Sequence, residues 1–181
     1  NELTINNCDI TGSSYALYDS SNKTITVTNT ELKSGSYSLY NYNTATINLT
    51  DTNMNGTVYN NNSNGKINIK KLNNEQITLN GKVYNKGKMD IKNTKISITD
   101  NTCTTYNLVE NSGILTLTDD SINYTNTNSC TYEYRLVYNS GTLNSTSTTY
   151  KGNSTYVSGS TRYPYLFGIY NTQIMTSAND N

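Results

Sequence analysis

The sequence predicts an all-β fold, a right-handed parallel β-helix (β-solenoid) of about seven coils spanning residues 1–181 as one domain. Three observations carry this reading: a recurring tetrapeptide, a turn after each copy, and a five-residue alternating segment after most turns. The tetrapeptide is x-[Leu/Val/Ile]-Tyr-Asn. It occurs as Ala16–Asp19, Ser38–Asn41, Thr57–Asn60, Lys82–Asn85, Leu108–Asn111, Leu136–Asn139 and Gly168–Asn171, with Asp19 and Glu110 as departures. The turn is clearest as Asn111-Ser112-Gly113 and Asn139-Ser140-Gly141. The alternating segments include Thr24–Thr28, Thr46–Thr50, Lys66–Lys70, Lys88–Lys92 and Ile114–Thr118. Period-two alternation puts one face inside and one outside.

The marker residues that end the tetrapeptides lie 22, 19, 25, 26, 28 and 32 residues apart. Leucine-rich or helical repeats hold a tighter period, and no segment here has a 3.6-residue pattern. A solenoid tolerates such variation because extra residues leave at corners while the strands keep register. A β-sandwich also shows alternating strands, but it has no reason to repeat one tetrapeptide. Three inward columns follow. Ile25, Ile47, Ile67, Met89, Leu115 and Leu143 form one. Val27, Leu49, Ile69, Ile91 and Leu117 form a second, ending at Ser145. Leu17, Leu39, Val58, Val83, Val109, Val137 and Ile169 form a third. The marker Asn side chains are expected to form a hydrogen-bonded ladder, as stacked Asn does in other in-register β-structures. The later coils lengthen around Asn101–Tyr106, Asn126–Tyr134 and Gly152–Tyr165, which reads as loops on one side.

Composition narrows the function classes. Hydrophobic residues are 33%, charged residues 14%, and the net charge is zero. A neutral chain with two arginines is a poor phosphate binder, which argues against nucleic acid. No apolar run is long enough to cross a membrane, and no secretory signal is present. The strand-like start Leu3-Thr4-Ile5 reads as a piece of a longer protein, expected to be monomeric by itself. There is no His, and the three cysteines form no CxxC pair, so neither a structural zinc site nor a cofactor is expected. Cys103 and Cys130 share a sequence context in neighbouring insertions and are candidates for a disulfide suited to an oxidising compartment. Cys8 then reads as a small interior residue.

The [Leu/Val/Ile]-Tyr-Asn-Ser-Gly turn and the strand after it, as in Val137–Leu143 and Gly113–Thr118, resemble right-handed parallel β-helix proteins of the pectate-lyase-like superfamily. The resemblance covers the whole chain and points to the non-enzymatic, adhesin-like branch. Such segments occur in large surface proteins of Gram-positive bacteria with AT-rich genomes. The resemblance implies secretion and cell-surface display, with a host or matrix glycan or protein as partner. Fold analogy does not establish either.

Two sets of residues are candidates for binding. The first is an outward tyrosine column, Tyr18, Tyr40, Tyr59, Tyr84, Tyr138 and Tyr170, with Glu110 in the remaining place. Stacked phenol rings offer rigid area with a polar tip, although such a ladder can also merely stabilise the sheet. The second is the pair of tyrosine-rich insertions. Tyr132, Tyr134 and Arg135 lie in one; Arg162, Tyr163 and Tyr165 lie in the other. These are hot-spot residue types placed on loops of a rigid scaffold. The bland alternative is a structural stalk.

A polysaccharide lyase or hydrolase is a further alternative, but a hydrolase needs paired carboxylates and a lyase needs clustered carboxylates for calcium with a Lys or Arg base nearby. Asp90 and Glu110 project onto different faces, while Asp119 and Asp120 are adjacent and point apart. No catalytic residues are therefore expected. Thr-x-Thr rows such as Thr24-Ile25-Thr26 suggest an ice-binding face, but Lys66, Lys70, Lys88 and Lys92 interrupt it and read as a solvated strand face.

Overall fold

The computed structural model describes residues 2–73, 75–100, 107–126, 134–154 and 166–181. The chain is a parallel β-solenoid with three faces per coil. On the first face stack β1 (Leu3–Asn6), β4 (Thr24–Thr28), β6 (Thr46–Thr50), β8 (Lys66–Lys70), β11 (Lys88–Lys92), β14 (Ile114–Thr118), β17 (Thr142–Thr146) and β20 (Ile174–Ala178). That is eight rungs, slightly different from the seven coils expected.

The middle face holds β2 (Asp9–Gly12), β9 (Ile77–Asn80), β12 (Thr94–Asp100), β15 (Ser121–Asn126) and β18 (Thr149–Ser154). The marker face holds β3 (Tyr15–Asp19), β10 (Val83–Asn85), β13 (Asn107–Asn111), β16 (Tyr134–Asn139) and β19 (Leu166–Asn171). Two long strands, β5 (Glu31–Asn41) and β7 (Asn53–Asn60), run through both faces and join them into one sheet. The strand pairings among the described residues are parallel.

The registers reproduce the three expected columns. On the first face Ile25 aligns with Ile47, Ile47 with Ile67, Ile67 with Met89, Met89 with Leu115 and Leu115 with Leu143. The marker-face column runs unbroken from Leu17 to Ile169. A fourth column escaped the sequence reading: Ile10, Leu32, Met54, Leu79, Ile96, Ile122 and Tyr150 on the middle face. Its members stand outside both the tetrapeptide and the alternating segment, five residues after the second-column residue in each rung except at Leu79, which is ten after Ile69. A single coil cannot bury such columns; the stack does.

Two corners explain the polar sequence. The first face ends at a left-handed residue, Asn7, Asn29, Asp51, Asn93, Asp119, Ser147 or Asn179, with φ between 49° and 55°. Asn and Asp tolerate that conformation better than most residues. The residue after it is buried as Thr30, Thr52, Thr94, Asp120 or Thr148. The Thr30, Thr52, Thr94 and Thr148 hydroxyls donate to the carbonyl two residues back at 2.9–3.2 Å. Cys8 occupies this position in the first rung, and its Sγ donates to the Asn6 carbonyl at 3.2 Å. It is exposed, not interior as expected, since the corner turns its side chain toward the Asn6 carbonyl rather than into the columns.

At the other corner lies the expected ladder. The Nδ2 of Asn41, Asn60, Asn85, Asn111 and Asn139 each donates to the Oδ1 of the next marker, at 3.2, 3.0, 2.8, 2.6 and 2.6 Å. The same amides satisfy turn carbonyls; Asn111 also donates to Gly113 and Thr142. The turn glycines are required by close approach. A Cβ on Gly113 would overlap the Gly87 carbonyl, and one on Gly141 the Gly113 carbonyl.

Candidate functional site

Outward side chains of the marker face gather the predicted tyrosine column and enlarge it. Register stacks Tyr18, Tyr40, Tyr59 and Tyr84 on successive rungs, then Glu110, Tyr138 and Tyr170. A second row, Tyr15 and Tyr37, stands three residues before the column and pairs in register. Tyr42 follows the second marker and joins from the corner. The signal for this second row was in the sequence, since Tyr15 and Tyr37 each precede the column tyrosine by the same offset.

The rings form a continuous patch. Within a rung they meet edge to face: Tyr15–Tyr18 at 5.2 Å and Tyr37–Tyr40 at 5.1 Å. Between rungs they stack: Tyr15–Tyr37 at 5.4 Å and Tyr18–Tyr40 at 5.6 Å, with Tyr42 against Tyr18 at 6.2 Å and Tyr40 at 6.4 Å. Tyr59 and Tyr84 extend the patch at 5.1 and 5.5 Å. Such pairs are the preferred aromatic geometries. Lys86 caps the Tyr59 ring at 5.4 Å. The surface is amphipathic: Tyr18 and Tyr42 are 48% and 53% exposed, whereas Tyr37, Tyr40, Tyr59 and Tyr84 are half-buried. Burial raises the Tyr84 phenol pKa, and the Glu110 carboxylate adds to it. Burial also raises that of Tyr40, with the neighbouring phenols contributing. These hydroxyls stay protonated at neutral pH and can donate.

Glu110 ends this patch and is held by the Asn107 amide at 3.2 Å. Beyond it lies a smaller group. Tyr138 and Tyr170 stack at 5.7 Å, and the Arg135 guanidinium lies 4.5 Å from the Tyr170 ring and 5.4 Å from that of Tyr138. Arg135, expected on an insertion, is therefore a strand residue that joins the tyrosine column. Tyr134 requires a correction. It opens β16 rather than lying on a loop, is 1% exposed, and stacks on Tyr124 at 5.2 Å inside the solenoid. The alternation that turns Arg135 outward turns Tyr134 inward. Tyr132, Arg162, Tyr163, Tyr165, Cys103 and Cys130 lie outside the described residues.

The carboxylates weighed for catalysis, Asp90, Glu110, Asp119 and Asp120, are spread over three places. Asp90 faces outward on the first face beside Lys88 at 3.7 Å. Glu110 is on the marker face. Asp119 is the left-handed corner residue, and Asp120 is buried behind it. Burial raises Asp120 to about 7, against the opposing effect of bonds accepted from the Thr94 and Thr118 amides at 2.7 and 2.9 Å. Its two partners are backbone amides of a corner, an arrangement that closes a turn. Among the described residues no three His, Cys, Asp or Glu side chains converge to hold a metal, and no helix is long and apolar enough to cross a membrane. Compared with known proteins, the chain matches no family profile, no curated protein and no solved structure.

Proposed function

We propose that this chain is a binding module of an extracellular, adhesin-type β-solenoid protein, and that the tyrosine patch of the marker face is its contact surface. The observation that supports the reading is the patch itself. Seven tyrosines joined ring to ring occupy four successive rungs, and their most exposed members, Tyr18 and Tyr42, have no packing duty toward the core. Tyr presents large rigid area at low entropic cost and is enriched where proteins bind partners. The partner class is a host or matrix glycan or protein.

The test is binding of the intact chain to a glycan array and to immobilised matrix proteins, alongside a Tyr18→Ala/Tyr42→Ala variant. Loss of a centrally packed aromatic anchor costs roughly tenfold or more in affinity. A variant that binds every partner as tightly as the parent removes the patch as the site. A parent that binds nothing leaves the structural stalk as the better reading.

A further inference from the structure

The chain is neutral as a whole, but its charge is unevenly placed. Residues 66–95 hold eight of the thirteen basic residues and only two acidic ones, Glu75 and Asp90. Half of those lysines, Lys66, Lys70, Lys88 and Lys92, lie on two adjacent strands of the first face. The parallel register stacks Lys66 on Lys88 and Lys70 on Lys92, with Asn68 on Asp90 between them. Adjacent rungs are ~4.8 Å apart and four residues along a strand span ~13 Å, so the four Cα atoms outline a narrow rectangle.

Directly opposed like charges destabilise a sheet pair, and here two such pairs sit side by side. Neighbouring carboxylates offset the arrangement only in part. Lys88 approaches Asp90 at 3.7 Å, and Lys92 approaches Asp119 at 3.9 Å. Lys66 and Lys70 form no ion pair among the described residues. A solvated strand face needs charge, but it does not need charge of one sign in register.

The surroundings of the four lysines define what they fit. Thr46, Asn48 and Thr50 flank them on one side, Thr116 and Thr118 on the other. These are short hydroxyl and amide groups suited to sugar hydroxyls. Neither those positions nor the lysine strands carry an outward aromatic ring, so nucleic-acid bases have no stacking platform. Ile114 and Leu72 are the large apolar side chains exposed beside them among the described residues, at opposite corners of the lysine pairs and too few for insertion into a lipid interface.

We propose that this face binds an anionic polysaccharide, whose sulfate or carboxylate groups lie between Lys66, Lys70, Lys88 and Lys92. The bound anions would relieve the repulsion that the register imposes. Ammonium groups on flexible stems act as point charges and adapt to either anion. The site is separate from the tyrosine patch, which lies on another face.

The test uses the intact chain with three probes: heparin, which carries sulfate and carboxylate; hyaluronate, which carries carboxylate alone; and duplex DNA. Heparin is expected to bind, with affinity falling at least tenfold between about 50 and about 200 mM salt as released counterions accumulate. Hyaluronate binding as well would identify carboxylate as sufficient; heparin alone would identify sulfate. A Lys66→Gln/Lys70→Gln/Lys88→Gln/Lys92→Gln variant is expected to bind at least tenfold more weakly, whereas Lys23→Gln/Lys33→Gln leaves binding unchanged. The fourfold variant should unfold at the same or a higher temperature, because it removes stacked like charges, so a folding defect would not mimic the result. Tyr18→Ala/Tyr42→Ala should leave heparin binding intact, which separates this site from the patch. Undiminished binding by the fourfold variant, no binding of either glycan by the parent, or DNA bound as tightly as heparin would each overturn the proposal.

Discussion

From Val27 to Leu117 the second interior column of the first face is aliphatic, and the middle-face column from Leu32 to Ile122 is aliphatic apart from the thioether of Met54. One rung later both change together. Leu117 is followed in register by Ser145, and Ile122 by Tyr150. The Ser145 Oγ and the Tyr150 hydroxyl lie 2.6 Å apart. In the same part of the rod Tyr124 and Tyr134 stack inside, with the Tyr124 hydroxyl 3.4 Å from Asp100. The early rungs keep their tyrosines outside and their apolar chains inside; the late rungs bring tyrosines in. The difference teaches that a solenoid interior conserves the volume of a whole coil rather than that of one column. A small residue in one column admits a large one in the next, and the hydroxyls this introduces must satisfy each other.

Four expected outcomes bear on that contrast, beginning with the largest. Asp120 is a carboxyl in a corner column whose other buried members are Thr30, Thr52, Thr94 and Thr148. Its folded pKa, raised from 3.8 to about 7 by burial, lies above its unfolded value. The folded state therefore resists ionisation. Its stability contribution is full below pH 3.8 and is lost as pH rises toward 7. A tenfold change in proton affinity between the folded and unfolded chain is worth about 1.4 kcal/mol, so the loss is on the order of 4 kcal/mol. Urea unfolding at acid and at neutral pH should show it, and Asp120→Thr should flatten the profile. An equally steep profile in that variant would locate the titration elsewhere.

In the regular half, Asn111→Leu removes an amide that serves Gly113, Thr142 and Asn139 at once. Orphaned buried groups should lower stability by about 3 kcal/mol, visible as a lower urea midpoint. A loss near zero would mean that the ladder decorates the corner without holding it.

In the late half, Tyr150→Phe leaves the Ser145 hydroxyl without its partner. About 1.5 kcal/mol is expected, and the double change Ser145→Leu/Tyr150→Ile, which restores the early pattern, should recover it. A double-mutant cycle by thermal unfolding measures the coupling; additive losses would refute the idea of shared volume.

The smallest effect concerns the first rung. Asp19 cannot donate to the next marker, and both its Oδ2 and the Asn41 Oδ1 are buried without a hydrogen-bond partner. Asp19→Asn should extend the ladder by one bond and add about 1 kcal/mol. A thermal midpoint that falls instead would show that the carboxylate has an unseen use.

Legibility in the sequence followed periodicity. The Asn ladder, the tyrosine column and the marker-face column were readable because they belong to one tetrapeptide, and the two first-face columns because each of their strands alternates. The middle-face column was not, because its segments carry neither the tetrapeptide nor a clear alternation, although Leu32, Met54 and Ile96 each stand five residues after Val27, Leu49 and Ile91, and Leu79 stands ten after Ile69. Tyr134 and Arg135 read together as loop residues, yet one is interior and the other outward. Nothing in Tyr-Glu-Tyr-Arg states where a strand resumes after an insertion.

By itself the sequence determined that this chain stacks coils, which side chains close three columns, and that phenol rings repeat on one outer face. These follow from local chemistry that is repeated: a side chain buried once by alternation is buried in every coil. The tertiary structure alone decided what lies beside what across coils of unequal length. It brought Tyr42 to the column, Arg135 over Tyr170, Tyr150 to Ser145, and lysine onto lysine. Arg135 and Tyr170 are 35 residues apart and the paired lysines 22, and the corners absorb a different number of residues from coil to coil, so register is settled only when the strands hydrogen-bond.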